Sequence, residues 1–350
     1  MWGDAREQLR DWEAATPSDG LLDDDDDDDE KLAAYAAEGL ERLCEAMGGD
    51  EVTRQMLPHL QPMLDPSAPW TARHAALVAL ATVCEHGGSI LEPHVGGLMG
   101  VLVQAAGAPE PRLRWASAYC LGLMCDEFST LTQTMHEQLV PLLLGAMSDA
   151  SARVRSAAAL ASVNLLDALE EAALLQHAQP LLAALHPILA GADTPPYVAY
   201  SASSSLAVLS EGLSDAAGKP MSQAYTAFMP HLASRLDGAI GSRYGKLAAM
   251  ILRAIGALVS ASAPDLVRAD ASALVPSIAA LLSRPDVAED RDLLRAAHLA
   301  LASFGQVASD SLINIFHGLV RERHTHARAR ARAHTPSRVP ETASPLAPRP

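Results

Sequence analysis

The sequence predicts an all-α chain, an α-solenoid built from antiparallel helix pairs. Three observations predict it. Arg73, Arg114 and Arg155 stand 41 residues apart, and each opens an apolar run closed twelve residues later by a carboxylate, Glu85, Asp126 or Asp167. A fixed period of roughly 20–50 residues marks a repeat architecture. Apolar residues make up 49% of the chain but aromatic ones only 4%. Alanine and leucine, strong helix formers, therefore carry the apolar content, and strand formers are scarce. The repeated runs are also apolar nearly all round, as in Ala75, Ala76, Leu77, Val78, Ala79, Leu80, Ala81 and Val83. A helix of that kind must be covered on several sides, and a stacked array covers it.

In chain order, residues 1–15 read as an acidic amphipathic helix, broken by Thr16-Pro17-Ser18-Asp19-Gly20. The run Asp23, Asp24, Asp25, Asp26, Asp27, Asp28 and Asp29, followed by Glu30, concentrates too much like charge to pack or to form a helix of its own. It reads as a solvated acidic loop over residues 20–30. A helix over 31–47, ended by Gly48-Gly49, completes a partial repeat spanning 1–47.

Residues 48–320 then read as an array of about six helix pairs and a partial one. The pairs are 53–64 with 71–84, 95–106 with 112–125, 132–147 with 152–166, 174–189 with 197–209, 223–236 with 244–259, and 271–282 with 291–307. Prolines 66, 109, 111, 195 and 196 fall in turns or at helix starts, where a missing N–H does little harm. Pro58, Pro141 and Pro230 fall inside first helices, which they should bend. A last helix, 311–320, has no visible partner. Residues 321–350 break the pattern with seven arginines and five prolines and read as a disordered tail.

The formal net charge is −16, of which the tail contributes +5. So acidic an array repels nucleic acid and membrane surfaces and favours basic protein partners. No apolar run is long enough to span a bilayer, and Met1-Trp2-Gly3-Asp4 does not open a signal peptide. Cys44, Cys84, Cys120 and Cys125 lie within apolar helical pattern without paired metal-ligand spacing, and read as reduced, buried thiols. His136-Glu137 is a single pair, too few for a metal set, and the serines of 201–205 fall on a helix and not on a strand-turn elbow. The sequence therefore argues against an enzyme and implies no metal and no cofactor.

What remains is a binding surface. Glu85, Asp126 with Glu127, and Asp167 close successive second helices, and Glu211 follows at a looser 44-residue step. A carboxylate there faces the negative end of the helix dipole, at a cost of about 0.3–1 kcal/mol. Its recurrence calls for a reason. If second helices line one face, these positions form an acidic ladder with a rung about every 10 Å, suited to an extended lysine-rich segment.

The spacings Pro58/Asp65/Arg73 and Pro141/Asp149/Arg155 resemble HEAT repeats, in which aspartate and arginine pair in a ladder; Gly107 stands where the second pair wants its aspartate. More specifically, Trp70-Thr-Ala-Arg-His-Ala-Ala-Leu77, Arg112-Leu-Arg-Trp-Ala-Ser-Ala118, Ala157-Ala-Ala-Leu-Ala-Ser-Val-Asn164, Tyr225-Thr-Ala-Phe-Met-Pro230 and Gly245-Lys246 resemble the importin-β (karyopherin-β) superfamily. The branch is the one that imports ribosomal proteins and core histones. The resemblance covers about residues 1–320 and implies a central segment of a longer receptor. It implies a monomeric receptor, shuttling between cytoplasm and nucleus, that binds basic cargo on an acidic concave face and releases it to Ran GTPase. Asp23–Asp29 would contact Ran, and phenylalanine-glycine nucleoporins would dock between first helices on the convex face. The alternative is a generic HEAT scaffold of the phosphatase-regulatory-subunit type.

Overall fold

A computed structural model describes residues 5–14, 28–241, 244–282, 284, 287 and 290–307. Its helices are α1 Ala5–Ala14, α2 Asp28–Met47, α3 Gly49–Met63, α4 Trp70–Cys84 and the short α5 Gly88–Leu91. After a 3-10 turn at Glu92–His94 come α6 Val95–Ala106, α7 Pro111–Glu127, α8 Ser129–Met147, α9 Ala152–Asp167 and α10 Glu171–Ala190. The rest are α11 Pro196–Gly212, α12 Ser222–Gly241, α13 Gly245–Ala261, α14 Pro264–Leu281 and α15 Arg291–Val307. Among the described residues there is no strand.

Six antiparallel pairs stack side by side: α3/α4, α6/α7, α8/α9, α10/α11, α12/α13 and α14/α15, with α2 packed on α4 ahead of them. Second helices form one layer and first helices the other. The second-helix layer packs tightly from α4 through α7, α9, α11 and α13 to α15, while successive first helices meet more loosely. Closer spacing on one side curls the stack toward that side, so the second helices line the concave face.

Small residues make this closeness possible. A Cβ placed on Gly122 would come within 3.0 Å of the Ala161 Cα, and one on Gly256 within 3.3 Å of the Ala300 Cα. Between α9 and α11 the packing is alanine and serine. Ser201 donates to the Tyr197 carbonyl and so accepts from Ser156 at 2.7 Å; Ser162 donates to the Ala159 carbonyl and accepts from Ser205, also at 2.7 Å. Ser156, Ser162, Ser201 and Ser205 thus form a satisfied buried seam, while the Ser203 hydroxyl is buried with no hydrogen-bond partner. Asn164 Nδ2 adds a bond of 3.0 Å to the Gly122 carbonyl across α9 and α7. Leucines between the layers, among them Leu77, Leu80, Leu121 and Leu165, are at most 1% exposed, and each contributes about 2 kcal/mol by removal from water.

Several sequence expectations shift in register. The aspartate run does not stay outside helix throughout: Asp28, Asp29 and Glu30 form the first turn of α2, a position that the helix dipole favours for acidic residue types. Asp23, Asp24, Asp25, Asp26 and Asp27 lie outside the described residues, as do the break at 16–20, the helix expected over 311–320 and the tail. Gly48 alone, with φ 90°, separates α2 from α3, and Gly49 already begins the next helix. First helices begin earlier than their apolar pattern: α14 starts at Pro264, whose ring suits a first helical position, with Asp265 in the first turn.

Among the described residues the arginine–aspartate ladder has one complete rung. Arg114 Nε and Nη2 reach the two Asp149 carboxylate oxygens at 2.6 and 2.9 Å, joining α7 to the turn of the next repeat. Burial pushes the Asp149 carboxyl upward, but hydrogen bonds from Arg114 and the Ser151 amide, with the charges of Arg114 and Arg155, hold it below its ordinary value. The gap one repeat earlier is at Ala108, not Gly107. Ala108 and Asp149 each stand two residues past a first helix, and their amides bond to Ala105 and Ala146 at 3.1 Å. Their carbonyls accept from Arg114 and Arg155 respectively. Arg73, left without that carboxylate, has Nη2 buried with no hydrogen-bond partner.

Candidate functional site

Stacking helices at a 41-residue period turns each sequence position into a row across the concave face. Five rows run down α4, α7 and α9 at helical spacing: Thr71, Arg112, Arg153; His74, Trp115, Ser156; Val78, Tyr119, Leu160; Thr82, Leu123, Asn164; and Glu85, Asp126, Asp167. The face thus grades from basic through aromatic and apolar to acidic. Fourteen residues separate first row from last, about 21 Å at 1.5 Å per residue.

At the acidic edge Glu85, Asp126 and Asp167 are all exposed. Among the described residues no hydrogen bond or side-chain ion pair engages them, although Asp167 contributes to the field at Arg253. Their grouping is felt by neighbours. The Cys84 thiol is pushed up to about 12, by burial first and then by Glu127, Glu85 and Asp126. The Tyr119 hydroxyl is likewise raised by burial and then by Glu85 and Glu41.

The other two candidates are placed differently. Glu127 lies over Gly88, where an added Cβ would meet its Oε1 at 2.1 Å. It fills the joint between repeats instead of continuing the row. Glu211 is held by Arg253 through two parallel bonds, Nε–Oε1 at 2.9 Å and Nη2–Oε2 at 2.8 Å. The acidic row therefore ends at Asp167. Beyond it, α11, α13 and α15 enclose a groove of about 910 Å³ whose walls include Lys246, Arg253, Arg295 and Glu211.

Two residues that sequence reasoning missed matter here. Glu41 on α2 extends the carboxylate group toward Tyr119; the Gly48 junction breaks the period before it, so no spacing marks it. Arg253 supplies the chain's own cation to Glu211, and the signal was present: it is the one charged residue inside the apolar run 247–261.

The aromatic rows form a connected cluster. Trp115 stacks on Tyr119 at 5.3 Å and on His74 at 5.8 Å, and the Arg112 guanidinium lies 4.0 Å from the Trp70 ring. Burial, and then the charge of Arg112, lower the basicity of His74. On the convex side a cleft of about 300 Å³ opens between α6 and α8, lined in part by Val103, Ala106, Pro141, Leu142 and Ala146. Among the described residues no group of three or more histidine, cysteine or acidic side chains is arranged for a metal ion, and no helix is long and apolar enough to cross a membrane.

A family model described as HEAT-like repeat matches residues 70–124 and again 111–161, the α4–α7 and α7–α9 steps of the ladder. Importin subunit beta-3 of Saccharomyces cerevisiae is 28% identical over 132 residues, which are 37% of this chain and 12% of that protein. The karyopherin Kap121p solved with RanGTP superposes with a TM-score of 0.71 at 21% identity, over 88% of this chain and 28% of that one. Kap121p solved with Pho4p gives the same score and identity over 89% and 28%. The chain therefore spans less than a third of the length of these relatives. Repeat profile, local sequence match and solenoid path agree: the chain is built of HEAT-like repeats and is similar, over part of their length, to importin-β-type karyopherins.

Proposed function

We propose that this chain acts by binding, as part of a nuclear transport receptor that carries basic proteins such as ribosomal proteins and histones between cytoplasm and nucleus. The observation that carries this reading is the row Glu85, Asp126 and Asp167: exposed carboxylates, without a side-chain partner, at equivalent positions of adjacent concave helices. Neighbouring helices stand about 8–10 Å apart, so lysines spaced two or three residues apart in an extended segment would meet successive rungs. Glu127 and Glu211 support the row from its edges and contribute less, since packing and Arg253 already engage them. The aspartate run Asp23–Asp29 adds long-range attraction for a basic surface and is read as the contact for Ran, coupling its binding to cargo release. The convex cleft between α6 and α8 has Val103, Pro141 and Leu142 in its walls beside the Arg114–Asp149 pair, and is read as the docking place for phenylalanine-glycine nucleoporins. Relatives solved with RanGTP and with Pho4p lend weight to the Ran and cargo parts of the reading.

The test is a titration of a fluorescent lysine-rich peptide against the native chain and against Glu85→Lys/Asp126→Lys/Asp167→Lys. Binding by the native chain that weakens more than about tenfold in the triple variant at physiological salt is the expected result. Asp237→Lys/Asp265→Lys, exposed on the first helices α12 and α14, should bind as the native chain does. Equal affinity for native chain and triple variant would overturn the cargo-row reading.

A further inference from the structure

The basic and aromatic edge of the concave face is already occupied. Helix α1 belongs to no helix pair, yet Trp12 is fixed there by three contacts. Its ring meets Trp115 edge-on at 6.5 Å, the Arg153 guanidinium lies 4.7 Å from the ring, and Arg153 Nη1 donates to the Trp12 carbonyl at 2.8 Å. Arg153 itself is only 5% exposed. The next residue, Glu13, contributes to the field at Arg114, after Asp149 and Glu110.

The wall that receives Trp12 is built independently of it. Trp115 is braced by His74 and Tyr119, and Arg112 is held both by Glu110, at 2.7 Å, and by the Trp70 ring. His74 Nε2, in the same wall, is buried with no hydrogen-bond partner. A rigid aromatic surface flanked by arginines takes an aromatic side chain and a neighbouring carboxylate. It repels lysines, which the face receives about 20 Å away at its other edge.

We propose that this edge is a peptide-binding subsite for an aromatic residue followed by an acidic one, and that α1 fills it in cis through Trp12 and Glu13. A partner segment of the same chemistry enters only by displacing α1. The subsite uses none of Glu85, Asp126 or Asp167, so it stands or falls apart from the lysine-binding reading.

The α1 sequence supplies the probe. A fluorescein-labelled peptide of residues 5–14, AREQLRDWEA, is titrated by polarisation against the full native chain, Trp12→Ala, and Trp12→Ala/Trp115→Ala. A segment tethered by a short linker acts at an effective concentration on the order of 1 mM. Against a peptide Kd of about 100 µM, that lowers the native chain's apparent affinity about tenfold relative to the Trp12→Ala chain. The expected order is therefore binding to Trp12→Ala with a Kd of about 100 µM, about tenfold weaker binding to the native chain, and none to the double variant. The same peptide with alanine at its tryptophan should not bind. Equal affinity for the native chain and Trp12→Ala, or none for Trp12→Ala, would overturn the proposal. Unchanged amide exchange in α7 and α9 establishes that the stack is intact, and Trp12→Gln replaces the alanine variant if exchange there rises.

Discussion

Ala108→Asp should rebuild the missing rung and stabilise the joint between α4 and the next repeat. The geometry is set by the rung that exists: Asp149 takes two bonds from Arg114, at 2.6 and 2.9 Å, and one of 2.8 Å from the Ser151 amide. At Ala108 the equivalent arginine is Arg73, whose Nη2 lacks a partner, and the equivalent amide is that of Glu110. A hydrogen bond to a charged group contributes about 1.5–3 kcal/mol. Burying the carboxylate at a position now 8% exposed, beside Glu110, offsets much of that. We expect a net gain of about 1 kcal/mol, or about 2 °C in Tm. The decisive measurement is a double-mutant cycle by urea denaturation, followed at the tryptophans that flank this joint. Arg73→Ala should cost under about 1 kcal/mol in the native chain but about 2–3 kcal/mol in the Ala108→Asp chain, where it strands a buried carboxylate. A coupling below about 0.5 kcal/mol would refute the equivalence of Ala108 and Asp149.

Gly122→Val should cost about 2–3 kcal/mol, because its Cβ would meet the Ala161 backbone at 3.0 Å and neither helix can yield. Gly145→Ala, inside α8 with open space around it, should stabilise by about 0.5–1 kcal/mol; similar denaturation midpoints for the two variants would contradict the close inner packing. A third prediction concerns pH. His136 Nδ1 and His177 Nε2 stand 2.7 Å apart across α8 and α10, and burial, then the charge of His136, lower the basicity of His177, with Glu137 acting the other way. A histidine with a depressed folded pKa contributes stability above its unfolded value of about 6.5 that is lost as pH falls through the folded one. Between pH 7 and pH 5 the native chain should therefore lose more stability than His177→Asn, read from unfolding midpoints; parallel pH profiles would rule this out.

Much of the fold was legible because a stacked repeat writes itself at a fixed period. Arg73, Arg114 and Arg155 announced the stack, and Glu85, Asp126 and Asp167 lie in one row because equal steps along the chain become neighbours across helices. What broke the period was not legible. Glu127 neighbours Asp126 in sequence but points into the joint at Gly88, a difference of helical phase that composition hides. Glu211 looked like a fourth rung until Arg253, 42 residues on, closed over it. Trp12 carried no signal at all, since its partners Trp115 and Arg153 lie more than a hundred residues away and only the folded stack brings them together.

The unequal packing of the two layers has a mechanical consequence. In a beam with one tight and one loose side, the neutral axis runs near the tight side, and a change of curvature strains the loose side most. Here the tight side is the glycine, alanine and serine seam of the inner helices, and the loose side is the outer helices where His136 meets His177. The coil can open or wind while its concave rows keep nearly constant pitch. A ligand spanning several rungs then meets the same ruler whatever the bend, and a change of curvature is felt first on the outer face.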